Sequence, residues 1–173
     1  MTLSGYALDG MTRDAGWWFL SIGRRIERLQ FMSNALQAAL AGAADMELDW
    51  LLEVGDSGVT YRSRYMARPQ WLPTLDLLAR DPSNPRSVAF QLKGLEDFLR
   101  RISETYGDFG AERFADLAAE LGGMDADRDL QHGSTRLAAW LARSHARASR
   151  LSEQIELRFF SHAGSVSRQT FAP

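Results

Sequence analysis

The chain has 173 residues, 45% of them apolar and 24% charged, which suits one soluble-type globular domain with a core of its own. Cysteine is absent, so disulfides, thiolate-bound zinc, iron–sulfur clusters and thiol catalysis are excluded. The net charge of −2 gives no general pull toward nucleic acid or an anionic membrane. No apolar run reaches the ~18 residues that cross a bilayer, and the first residues lack the basic-then-apolar pattern of a secretory signal, so a cytoplasmic location is expected.

Residues 1–10 read as a loop. Thr12 is the expected N-cap of a first helix over Arg13–Leu40, with Asp14 in the first turn suiting the helix dipole. Phe19, Ile22, Ile26, Leu29, Leu36 and Leu40 share one face, and Ser33 is its one polar member. A second face carries Trp17, Leu20 and Phe31, with Arg24 and Glu27 set between them. A helix apolar on two sides belongs at the centre of a bundle. Short helices are expected over Met46–Glu53, Val59–Met66 and Trp71–Leu78, separated by Gly55-Asp56-Ser57-Gly58 and by Pro69. Asp81-Pro-Ser-Asn-Pro-Arg-Ser87 is a strong break, and Asn84 with Pro85 reads as the N-cap and first residue of a long helix ending near Gly107. Another helix is expected over Ala111–Leu121, stopped by Gly122-Gly123, followed by a mobile polar loop from Met124 to Gly133. Ser134 should cap the last long helix, and the Ser-rich stretch from Gly164 should fray. Nothing alternates with period two for long enough to demand a strand. The expected fold is all-α: an irregular bundle of three long and about four short helices, in a single domain with its ordered core over residues 11–162.

Charges set in an apolar stripe are costly unless they have partners or a task. Arg24, Glu27 and Arg28 are therefore the first candidate site. Either they form a structural ion network that fixes helix docking, or they line a polar recess in which arginine binds an anion and glutamate acts as an acid/base. Tyr61-Arg-Ser-Arg-Tyr65 is the second. Tyr61, Arg64 and Tyr65 share a helix face, and Arg62 points elsewhere. Stacked on tyrosines, such arginines can hold carboxylates; equally, they can cover a tyrosine-edged core with their stems. The expected arrangement brings Tyr65 and one of Arg62 or Arg64 to the Arg24/Glu27 cluster. The third candidate is Arg86 and the turn around it, where a helix N-terminus beside an arginine suits an anion, against the plainer reading of ordinary capping.

Arg136, Arg143, Arg147 and Arg150 lie within about 60° of arc on the last helix. This ridge is either a solvated face or a docking surface for an acidic partner. His132, His145 and His162 lack the spacing of helical metal sites, so no metal or cofactor is expected, and His162 reads as a helix C-terminal cap. Lys93 is the one lysine among 20 basic residues.

Three segments carry a family resemblance: Met11-Thr-Arg-Asp-Ala-Gly-Trp-Trp-Phe-Leu-Ser-Ile-Gly-Arg-Arg-Ile-Glu-Arg28, Tyr61-Arg-Ser-Arg-Tyr65, and Asp81-Pro-Ser-Asn-Pro-Arg-Ser-Val-Ala-Phe90. In order, they resemble the bacterial alpha-E domain over about residues 11–160. The resemblance implies an all-helical domain without an established biochemical function, found beside or fused to a circularly permuted ATP-grasp domain, often near transglutaminase-like peptidases. Its Glu-Arg motif falls on Glu27-Arg28, preceded by Gly23 and Arg24. Members usually carry two such helices, and the present one matches the second. The chain is thus expected to be the C-terminal part of a longer alpha-E region, with apolar surface at Trp17, Trp18 and Phe31 available for homodimerisation. The expected role is a helical accessory or binding module of an ATP-grasp peptide- or amide-ligase system, with that domain and a peptide substrate as partners and no catalysis by itself. The alternatives are a stand-alone enzyme using Glu27, or a purely structural domain.

Overall fold

A computed structural model describes residues 10–42 and 48–160. These form eight α-helices and one π turn, with no strand among the described residues. Helix α1 spans Ala15–Ala41, α2 Asp49–Val54 and α3 Gly58–Tyr65; α4, Trp71–Leu75, runs directly into the π turn Asp76–Arg80. Helix α5 spans Val88–Tyr106, α6 Glu112–Gly122, α7 Ala126–Asp129 and α8 Thr135–Phe159. The bundle is all-α, with the three expected long helices and five short ones.

The long helices form because each repeats apolar residues every three or four positions behind a side-chain cap. In α1 the capping residue is Asp14 rather than Thr12. Asp14 holds extended backbone angles, and its carboxylate accepts from Trp17 N at 3.2 Å. Ser134 caps α8 as expected, accepting from Leu137 N at 3.2 Å. Helix α1 lies between α5 and α8, and α6 packs on α5. Ile22, Ile26, Leu29, Leu36 and Leu40 are buried at this junction, meeting Leu92, Leu95 and Leu99 of α5 and Leu137, Leu141 and Leu151 of α8 in one cluster. Each buried leucine or isoleucine contributes about 1.5–3 kcal/mol. Trp140, fully buried in α8, is the largest core side chain.

The π turn widens the end of α4. Asp81 N donates to Asp76 O five residues back, at 2.9 Å. The wider turn aims Leu75, Leu77, Leu78 and Ala79 all inward, where each is fully buried.

Three expectations are corrected. The cap of α5 is Ser87, whose Oγ accepts from Phe90 N at 3.1 Å. Asn84 is instead buried, donating to Leu77 O at 2.9 Å and Ser57 Oγ at 3.2 Å, so Pro85 precedes the helix. Residues 124–133 are not a mobile polar loop. Met124, Asp129 and Leu130 are buried, and α7 forms within the segment. The second face of α1 is packed only in part: Trp17 meets Phe98, but Leu20 is 38% exposed and Phe31 55%. The expected features at Met46, His162 and beyond Gly164 lie outside the described residues.

Candidate functional site

The site is built where α1 crosses α5. Arg25, which the periodicity of α1 gave no reason to single out, lies flat across α5. Its Nη1 donates to Phe90 O at 3.3 Å and to Gln91 Oε1 at 3.4 Å. Its guanidinium carbon stands 4.9 Å from the Phe90 ring centre and 5.4 Å from that of Phe98. Gly94 makes this possible, because a Cβ there would come within 2.1–2.4 Å of the guanidinium. Phe90, Gly94 and Phe98 are spaced four apart, so α5 presents an aromatic–gap–aromatic seam that fits one planar cation.

Beside this seam is an open cleft of about 220 Å³. Arg24, Arg25 and Arg28 supply its charge, Trp17, Phe90 and Phe98 its aromatic walls, and Ser21 and Gln91 its neutral polar groups. Burial pushes the Arg25 guanidinium below its usual range, and repulsion from Arg28 adds to this, against a smaller pull from Asp97. Burial also lowers Arg28, helped by Arg86 and Arg24 and opposed by Asp56. Both opposing carboxylates are already engaged: Asp97 with Lys93 Nζ at 2.6 Å, and Asp56 with the Arg86 guanidinium. Asp56 reaches Arg86 from a left-handed turn, with φ of +45°. Among the described residues the Arg28 guanidinium has neither a hydrogen bond nor an ion pair. The Trp17 indole N–H is likewise buried without an acceptor, which costs about 1–3 kcal/mol.

The predicted site residues are thus only partly brought together. Arg24 and Arg28 line the cleft, and Arg86 approaches Arg28 across a small cavity floored by Met32 and Gly55. Glu27 is exposed on the other flank of α1, at the rim of an apolar groove of about 660 Å³ between α1 and α8. Arg24 borders both spaces. The Tyr61–Tyr65 segment faces elsewhere. Tyr61 is buried, its hydroxyl accepting from Gln70 N at 2.9 Å and donating to Arg68 O at 3.4 Å, with the Tyr65 ring 4.7 Å away. Arg64 pairs with Asp81 at 2.5 Å, and Arg62 borders a separate cavity beside Asp49 and Glu53. Tyr61 fastens the α3–α4 connection and Arg64 ties α3 to the end of the π turn, and neither these residues nor Arg62 and Tyr65 meet Arg24 and Glu27 as expected.

Two members of the α8 ridge are used within the fold: Arg136 pairs with Asp129 at 2.6 Å and Arg143 with Glu120 at 2.5 Å. His132 packs edge-on against Trp71, 4.9 Å between centroids. Among the described residues no group of three or more His, Cys, Asp or Glu side chains is placed to hold a metal ion. No described helix is long and apolar enough to cross a membrane.

The chain belongs to the Alpha-E family, described as a predicted alpha-helical domain with a conserved ER motif, whose match covers residues 1–160. Glu-Arg occurs twice, at Glu27-Arg28 on α1, of which only Arg28 lines the cleft, and at Glu112-Arg113, where both side chains are exposed at the start of α6. The chain is 33% identical over 121 residues to uncharacterised proteins of Mycobacterium bovis and Mycobacterium tuberculosis. The matched stretch is 67% of this chain and 14% of those relatives, so the chain spans a small part of their length. No solved structure matches it.

Proposed function

We propose that this chain is a non-catalytic helical binding module of an ATP-grasp peptide- or amide-ligase system, recognising an anionic group on the substrate or on the ligase domain. One observation carries this reading. The cleft concentrates arginines at the α1–α5 crossing while the sole carboxylate of the predicted set, Glu27, stands outside it on another flank. A site that places cations without a base, a nucleophile or a metal set is suited to holding a ligand rather than transforming it. The length of the relatives beyond the matched stretch leaves room for a catalytic domain in the same polypeptide.

The test is titration of the purified chain into the ATP-grasp protein encoded with it, with ADP release followed in parallel. Binding, together with a several-fold change in ADP release, is the expected result. Neither binding nor any change in ADP release would overturn the reading. A folded Glu27→Gln variant should behave as the parent chain; loss of the effect in that variant would instead favour chemistry at Glu27.

A further inference from the structure

The cleft at the α1–α5 crossing has a definite chemical preference. Arg28 is half-buried among three other guanidiniums, and within the described residues its own guanidinium donates to nothing. The carboxylates whose charge acts on it and on Arg25, Asp56 and Asp97, are held by Arg86 and Lys93. The cleft therefore contains a guanidinium, that of Arg28, without a hydrogen bond or ion pair among the described residues, next to a buried indole N–H, that of Trp17, which also lacks an acceptor there. Two independent features, a cation and a neutral donor, call for an acceptor group.

The shape narrows the class. The volume of about 220 Å³ lies below the ~300–1,000 Å³ of cofactor and drug-sized sites, so one terminal group enters rather than a nucleotide. Beyond the arginines the lining includes the rings of Trp17 and Phe98, which meet edge-on at 5.3 Å, with Arg13 stacked over Trp17. They suit an apolar body attached to the anion. The charged donors are side-chain forks on mid-helix positions; Phe90 and Gln91 of the first turn of α5 also border the cleft, but their backbone N–H groups are already held by Ser87 Oγ and Ser87 O, so they form no phosphate cradle. A planar guanidinium fork matches a carboxylate in two parallel hydrogen bonds.

We propose that this cleft binds a carboxylate carried on an apolar or aromatic residue, such as a peptide C-terminus, with the Arg28 guanidinium as its principal contact and Arg25 as the fixed wall behind it. This rests on the cleft being a binding site, as in the reading above, but not on any ligase.

The test uses the chain alone with three probes: N-acetyl-phenylalanine, its neutral amide, and phenyl phosphate. Binding is followed through the Trp17 indole N–H resonance and by calorimetry. N-acetyl-phenylalanine should bind at least tenfold more tightly than its amide and should shift the Trp17 resonance. Arg28→Met should lose at least tenfold in affinity, Arg28→Lys should lose less, and Arg113→Met, exposed at the start of α6, should bind as the parent does. Equal binding of acid and amide, or no binding by either, would overturn the proposal without reference to variants. So would a folded Arg28→Met that binds normally. Phenyl phosphate binding tenfold more tightly than the carboxylate would overturn the assignment to carboxylates. Success here with no effect on an ATP-grasp protein would reject the ligase reading and keep the ligand class; the reverse pattern would do the opposite.

Discussion

Gly94 and Arg25 fix each other. A methyl group at 94 would occupy the volume of the guanidinium, so Gly94→Ala should drive Arg25 off its seam and strip it of the Phe90 and Phe98 rings, the Phe90 carbonyl oxygen and the Gln91 side-chain oxygen. The expected cost is about 1–3 kcal/mol, read from chemical denaturation. The double variant Gly94→Ala with Arg25→Ala should cost less than the two singles summed, because the clash vanishes with the arginine; strict additivity would show that the two do not communicate. Arg25 was not legible from α1, where it sits at the edge of the buried stripe. The signal lay on the other helix, in the spacing of Phe90, Gly94 and Phe98, and only the docking of two segments 65 residues apart joins the halves. Arg24 and Arg28 were legible because charges beside Leu20 and Phe31 break an apolar pattern. The same pattern misled about Leu20 and Phe31 themselves, which are apolar and exposed.

At the scale of elements, the long helices were readable because period 3.6 is a local property, and α1, α5 and α8 follow it closely. The ends and short helices were not. Asn84 has the features of a cap, yet its Oδ1 accepts from Arg86 N at 3.1 Å and closes the turn before α5, while its amide donates to Leu77 O and Ser57 Oγ, so capping of the helix itself falls to Ser87. The segment 124–133 looked solvated because it is rich in aspartate, but Asp129 is buried between Arg128 and Arg136 and also accepts from Asp125 N at 3.0 Å. Hydrogen bonds from Arg128 hold the Asp129 carboxyl far below the usual carboxylate range, outweighing its burial, with Asp125 N and Arg136 adding to the effect. Burial opposes ionisation of Asp81 as well, but Ser83 and Arg64 together bring it below its ordinary value. Both groups have folded-state values below their unfolded ones. Their contribution is therefore complete above the unfolded value near pH 4 and is lost as pH falls further. Denaturation midpoints measured between pH 6 and pH 2 should decline below pH 4 in the parent, and Asp129→Asn should reduce that decline. An unchanged acid limb in the variant would mean that α7 is held by its apolar residues alone.

The whole molecule is unevenly fastened. Helices α1, α5 and α8 share one continuous apolar core, while α2 and α3 are short and touch it through Leu51, Leu52 and Tyr61. Amides in the middle of the three long helices should exchange with solvent only through global unfolding, and those of α2 and α3 should exchange at least tenfold faster. Uniform protection across all five would show that the α3–α4 clasp made by Tyr61 and by Arg64 with Asp81 binds the short helices into the same cooperative unit. The cleft is thus framed by two of the three helices that share the continuous core, and Asp56 and Arg86, on two separate turns, lie beside it around a smaller cavity.

Arginine supplies all the other basic side chains, which leaves side-chain amine chemistry a single address. Lys93 adjoins Gly94 on α5, beside the wall on which Arg25 lies, and its Nζ is exposed. A bifunctional acylating reagent fixed there would tether a bound protein close to the cleft, so the peptides it captures would map the neighbourhood of that wall directly. The hydrogen bond from Lys93 to Asp97 raises the pKa of the amine and keeps it protonated further into alkaline solution. Tethering should accordingly be slow at neutral pH and quicken as the ammonium loses its proton.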